Sequence, residues 1–243
     1  MQSSNNMFMN FKHFIGFESN KTGHLEKWIS ALGGLFGILG ITLISRQFLG
    51  EQEVAWVVAS MGATAVLVFA VPHGPLSQPW AVVGGHLISA VIGVACARWI
   101  PIPMLAAAVA VAAAIGAMHY LRCIHPPGGA TALTAVIGGA NIQALGFYYV
   151  LTPVLLNAVV IVLIAIMFNY AFSWRRYPVA LTVRPTAKTD VHETTADNLS
   201  ESDLETALQA MAGTVDISSQ DLEEIYRLAR ENRLSELLKA SRS

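Results

Sequence analysis

The chain has 243 residues, of which 54% are hydrophobic and only 13% charged, with a mean hydropathy of +0.51. A soluble domain carries roughly 25% charged residues, so a water-bathed globule is excluded for most of this sequence. The formal net charge of −1 hides segregation: all 16 acidic residues lie at or before Glu53 or at or after Asp190, which leaves 136 residues without a carboxylate.

In chain order, residues 1–27 read as a polar, mildly basic cytoplasmic lead with Lys12, Lys21 and Lys27. They lack the basic start, apolar run and small-residue cleavage site of a signal peptide. The first span is expected from about Trp28 to Leu49, long enough for a hydrocarbon core of ~30 Å, and the second from about Val54 to Val71. A turn-rich loop, Pro72 to Pro79, precedes a third span over Trp80–Ile100 and a corner at Pro101-Ile102-Pro103. The fourth span, Met104–Leu121, is dominated by alanine, which lets helices approach closely.

The fifth element is short. Gly128–Gly139 is 12 residues, ~18 Å of helix at 1.5 Å per residue. It cannot cross a bilayer alone, so it reads as a half-helix completed by a non-helical approach through Cys123–Pro127. The sixth span, about Leu145–Trp174, is long and expected to tilt, ending at the interface anchor Trp174-Arg175-Arg176-Tyr177.

The excess of Arg and Lys places both termini in the cytoplasm. The fold class is then an all-α membrane protein of six membrane helical elements. These form two pseudo-symmetric three-element repeats with short or broken second elements, over about residues 28–100 and 101–174 of a transmembrane domain spanning 28–177. A rival count is four full spans plus two re-entrant segments, with parallel repeats; the parity of crossings fits both. Residues 178–199 read as a linker. From Asp190 onward 12 acids face 5 bases, and residues 200–243 read as a small acidic helical tail, with helices near Ser200–Met211 and Gln220–Leu238. Such a tail is either a cytosolic helix pair packing on itself or a neighbouring subunit, or a regulatory docking surface.

The string Gly-Ala-Thr-Ala occurs twice, at Gly62–Ala65 and Gly129–Ala132, 67 residues apart. Paired Gly/Pro-interrupted segments in matching positions of two halves point to a transporter's substrate site. In the second copy Pro126 and Pro127 cannot continue a helix, so the chain must unwind around His125. Gly128 and Gly129 expose the amides that begin the next helix, Ala130 follows, and Thr131 adds a hydroxyl in its first turn. A helix start presents free N–H groups to an anion. The first copy offers Ser60, Gly62 and Thr64 without the prolines. In an inverted repeat the two helix starts face one another near the midplane. The competing reading is that Gly and Thr serve only close helix packing.

His125 fits an anion donor or a proton relay, or it ties down the unwound backbone. Buried His86 is a second candidate, and Arg122 either attracts anions or snorkels to headgroups. His73 reads as a surface residue. Cys96 and Cys123 read as small buried hydrophobes. No metal set, cofactor motif or nucleophile–base arrangement is visible, and nothing suggests nucleic acid. Intramembrane carboxylates usually mark cation pathways, so the acid-free core favours a neutral or anionic cargo. Gly33, Gly34, Gly37 and Gly40 mark either a subunit contact or an intramolecular one.

The string Arg122–Ala132, with Ser60–Ala65, Pro72–Trp80 and Gly84-Gly85-His86, resembles the HPP family of integral membrane proteins over about Trp28–Arg176. Family descriptions speak of four transmembrane helices, which follows if two short elements are skipped. The resemblance implies a transporter or channel for a small inorganic anion, most of all nitrite. Many bacterial relatives carry cytoplasmic CBS domains, and this chain resembles the form without them. The expectation is therefore a bacterial inner-membrane homo-oligomer that is not an enzyme. The alternative is a membrane-embedded sensor or scaffold signalling through the acidic tail.

Overall fold

The computed structural model describes residues 22–182. The expected tail helices and most of the N-terminal lead lie outside the described residues.

Among the described residues the chain is helical, without strands. Helix α1 runs His24–Ser45, starting four residues ahead of Trp28 because Gly23 takes the extended N-cap geometry and Glu26 sits favourably in the first turn. Helix α2, Glu51–Ala70, follows another extended glycine and carries Glu51 and Glu53 in its first turn. Helices α3 (Pro79–Trp99), α4 (Pro103–Tyr120) and α5 (Pro126–Ile137) each begin at proline, whose fixed φ and missing donor suit a helix start. Among the described residues five helices are long and apolar enough to cross a membrane: His24–Ser45, Glu53–Ala70, Pro79–Trp99, Pro103–Tyr120 and Val150–Tyr170. The 12-residue α5 is not among them.

Three expectations need correcting here. The second element of the first half is neither short nor broken: α2 is a continuous helix of 20 residues, and its Gly-Ala-Thr-Ala lies in the middle. Nothing before Gly62 removes a backbone donor, so nothing unwinds the chain there. The sixth element is not one long tilted helix. Gly139 (φ 96°) and Gly146 (φ 52°) bracket a short helix α6, Ala140–Leu145, and the chain is non-helical again at Thr152 before Pro153. Helix α7 then runs Leu156–Tyr170. Third, Arg175 is no interface anchor, because its side chain is buried.

Small residues govern the packing. A Cβ on Gly37 would stand 2.6 Å from Phe69 Cε2, and one on Gly40 would stand 2.6 Å from Ile164 Cδ1. These glycines therefore serve contacts inside the chain. Helix α3 packs most closely on α5, then on α4, through Gly84, Gly85 and Gly93 on one side and Cys123, Gly128 and Ala132 on the other. Large apolar side chains such as Leu35, Leu39, Leu43, Leu163 and Met167 face outward, as lipid-facing surfaces do. Trp28, Trp80, Trp99 and Trp174 stand exposed at helix ends, where aromatic belts form.

The two ends of the bundle are tied differently. At one end the Arg175 guanidinium donates to Glu26, to the Phe69 carbonyl, to Ser30 Oγ at 3.1 Å and to Asn169 Oδ1 at 3.2 Å. Burial lowers its pKa, and the Glu26 carboxylate offsets that only in part. Tyr177 Oη donates to the Ser77 carbonyl at 2.7 Å, and His73 Nε2 donates to the Arg176 carbonyl at 3.0 Å, so His73 is a tie rather than a free surface group. This end thus gathers the start of α1, the end of α2, the 72–79 loop and the segment after α7. At the opposite end Asn157 Nδ2 donates to Ser45 Oγ at 2.8 Å, and Asn141 Nδ2 donates to Glu53.

Candidate functional site

The end of α4 shapes the approach to the site. Its last turn closes with the Cys123 amide on the Met118 carbonyl (3.0 Å) and the Arg122 amide on the His119 carbonyl (3.2 Å). That is a Schellman cap, and it places its C′ residue in the left-handed region. Arg122 occupies the position at φ 54°. Cys123 and Ile124 then lead to His125, the extended N-cap of α5 (φ −144°, ψ 103°). The residue before a proline avoids the α region, so Pro126 fixes both the break and the aim of His125.

Four polar side chains meet at this break, and all are buried: Thr64 on α2, His86 on α3, His125, and Thr131 on α5. Thr64 Oγ1 lies 2.8 Å from His86 Nε2 and 2.9 Å from His125 Nε2. Thr131 Oγ1 lies 2.7 Å from His86 Nδ1, and His125 Nδ1 lies 2.8 Å from the Leu76 carbonyl in the 72–79 loop. The two imidazoles stand edge to face with centroids 4.9 Å apart. The matching threonines of the two Gly-Ala-Thr-Ala copies thus grip the two nitrogens of one histidine.

The other expected site residues divide. Ser60 is buried, but its hydroxyl bonds back to the Val57 carbonyl at 2.9 Å, and its role is support within α2. Gly62 faces open space, with nothing within 4 Å of a built Cβ. Its amide lies inside a continuous helix, so there is no half-helix start in the first half. The site is therefore not a point between two half-helix N-termini.

The second start is also poorer in free donors than expected. Pro126 and Pro127 have none, and the Gly128 amide donates to the His125 carbonyl at 2.8 Å. Gly128 instead lets α5 approach α3: a Cβ there would stand 2.7 Å from Ser89 Oγ and 3.0 Å from the Gly85 carbonyl. Pro127 is buried, Gly129 half-buried, and Pro126 and Ala130 exposed. Arg122 is exposed and lies outside the cluster, because its backbone is committed to the cap.

Sequence reasoning missed several supports. Gly85 seats His125, since a Cβ there would fall 2.6 Å from His125 Cβ and 3.0 Å from the Cys123 carbonyl. Tyr149 Oη donates to the Thr131 carbonyl at 3.1 Å. The Leu76 carbonyl, a backbone group, leaves no trace in residue identity. Gly85 was legible as a place where the backbone can be approached closely, but the identity of the approaching group, His125, was not.

A cleft of about 150 Å³ opens on the side of the bundle away from the 72–79 loop, lined by Val94, Ala97, Arg98, Ala135, Gln143 and Gly146 among others. Ala135 lies one helical turn beyond Thr131 on α5. Among the described residues, no group of three His, Cys, Asp or Glu side chains is arranged to hold a metal.

These features define a multi-pass helical membrane protein with a closed polar centre between α2, α3 and α5. The family model of the HPP transmembrane region matches residues 19–178, and the chain belongs to the HPP family. It is 39% identical over 176 residues to a transmembrane protein of Dictyostelium discoideum, covering 70% of this chain and 56% of that one. A second transmembrane protein of the same organism is 36% identical over 151 residues, covering 60% and 53%. The chain thus spans about half the length of the curated relatives it matches. No solved structure matches it.

Proposed function

We propose that the protein is a transporter or channel, not an enzyme, for a small inorganic anion, with nitrite the first candidate. The observation that carries this is the buried set Thr64, His86, His125 and Thr131 at the break before α5, in a stretch of chain without carboxylates. Polar groups cost free energy in a hydrocarbon environment and mark transport paths there by default. With no carboxylate from residue 54 to 189 and Arg98 beside the cleft, the field favours anions over cations.

The reading takes the chain as six crossings, the fifth made of residues 121–125 plus α5. This is supported by the ties at each end: the start of α1, the end of α2, the start of α3, the end of α4 and the segment after α7 share one end. The halves are then inverted repeats in which Thr64 and Thr131 correspond. Both ring nitrogens of each histidine are engaged, so the centre is a closed gate and passage requires α5 or the 72–79 loop to move. A bacterial inner membrane, cytoplasmic termini and a homo-oligomer complete the proposal.

The test is nitrite uptake into liposomes holding the purified chain. Uptake above that of protein-free liposomes is expected, and His86→Gln, which breaks the gate at its centre, should change the rate about tenfold or more. An absence of uptake by the parent overturns the assignment.

A further inference from the structure

The Leu76 carbonyl determines where every proton of the polar centre sits. It can only accept, so His125 Nδ1, 2.8 Å away, carries a proton. Among the described residues no carboxylate pairs with either ring to balance an imidazolium, and the relay starts from two neutral rings. His125 then accepts at Nε2, and the Thr64 hydroxyl, 2.9 Å away, donates to it. Thr64 has one proton, so its oxygen receives Nε2–H of His86 at 2.8 Å. His86 Nδ1 is left as the acceptor for the Thr131 hydroxyl at 2.7 Å. The Ser60 and Pro127 carbonyls, at 3.4 Å from the two hydroxyls, are too distant to compete. The histidines therefore hold opposite tautomers, and all four bonds point one way, from Thr131 to Leu76.

We propose that this line of bonds is a proton relay coupling proton movement to anion passage, an inference that rests on the transport reading above. A proton arriving at Thr131 Oγ1 from the cleft side binds there while Thr131 gives its own hydroxyl proton to His86 Nδ1. His86 gives its Nε2 proton to Thr64, and Thr64 gives its own to His125 Nε2. When the 72–79 loop moves and draws the Leu76 carbonyl away, His125 releases its Nδ1 proton to water or to a weak-acid anion admitted there. One proton enters and one leaves, every bond broken in the relay is matched by one formed, and nothing is oxidised or reduced. Afterwards His125 Nδ1 faces the Leu76 carbonyl lone pair to lone pair. That contact is unfavourable for two buried acceptors, so the resting polarity returns only when the centre opens and each imidazole exchanges its proton with solvent.

Thr64 is the link both histidines share, so it carries the test. Thr64→Val removes the hydroxyl at nearly constant shape, and Thr64→Ser keeps it. In proteoliposomes loaded with a pH-sensitive dye, an inward nitrite gradient is expected to acidify the lumen for the parent and Thr64→Ser. For Thr64→Val the acidification should be about a hundredfold slower, the usual worth of a positioned proton-transfer group. Undiminished proton flux in Thr64→Val overturns the relay. So does nitrite flux without proton flux in the parent, which leaves the transport reading standing. Absence of both fluxes in the parent overturns that reading and the coupling with it. The wire is also read without transport, by ¹⁵N NMR of the parent's ring nitrogens, assigned with His86→Gln and His125→Gln. Protonated Nδ1 on His125 and protonated Nε2 on His86 are expected, and the same tautomer on both rings overturns the proposal.

Discussion

Gly85 and Gly62 sit on α3 and α2 in opposite situations, and the difference is measurable. A methyl on Gly85 would press on His125 Cβ at 2.6 Å and on the Cys123 carbonyl at 3.0 Å, and neither can retreat from the break before α5. Gly85→Ala should therefore cost about 1–3 kcal/mol as overpacking. Gly62 meets nothing within 4 Å, and Gly62→Ala should stabilise by about 0.5–1 kcal/mol, the ordinary helix-interior difference. Thermal unfolding of both variants in detergent checks the pair; equal shifts would contradict the close seat of His125. Arg122 gives a third residue-scale test. Its φ of 54° costs a side-chain-bearing residue about 1–2 kcal/mol, so Arg122→Gly should raise the melting temperature. It should leave nitrite flux unchanged, because the side chain lies outside the polar centre.

At the scale of elements, the half-helix α5 was the most legible part of the chain. Its prolines, its 12-residue length and its glycines are all sequence signals of a broken crossing, and the structure has that helix at Pro126–Ile137. The same four-residue string in α2 misled, because small residues alone do not start a helix. A start needs a lost donor or an extended cap beforehand, and the residues before Gly62 supply neither. The partner faces were not legible, since which face of α3 meets α5 depends on long-range packing. Gly93 shows it: a Cβ there would stand 2.6 Å from the Ala132 carbonyl and 2.8 Å from Ala135 Cβ, both on α5. Gly93→Ala should prise the helices apart, lowering stability by about 1–3 kcal/mol and reducing flux. Gly116→Ala, with nothing within 4 Å, should do neither. Melting curves and uptake assays on the two variants decide the point.

At the scale of the whole molecule, the buried Arg175 joins the start of α1, the end of α2 and the segment after α7, far apart in sequence. Glu26→Gln would leave that guanidinium without its carboxylate. The loss should be about 1–2 kcal/mol, since Glu26 is partly exposed and water compensates in part. Unfolding of Glu26→Gln beside the parent tests it, and an unchanged melting temperature would show that the clamp contributes nothing. The sequence by itself determined the class of protein, most of the apolar helices and the break before α5, though not the second break at Thr152. Hydrophobic length, proline and glycine act locally, within a turn or two of the chain. Only the tertiary structure decided that Thr64, His86, His125 and Thr131 form one hydrogen-bonded line, that Arg122 stands apart and that Arg175 is buried. Those facts depend on which helix faces which, and on a backbone carbonyl at Leu76 whose position no residue identity encodes.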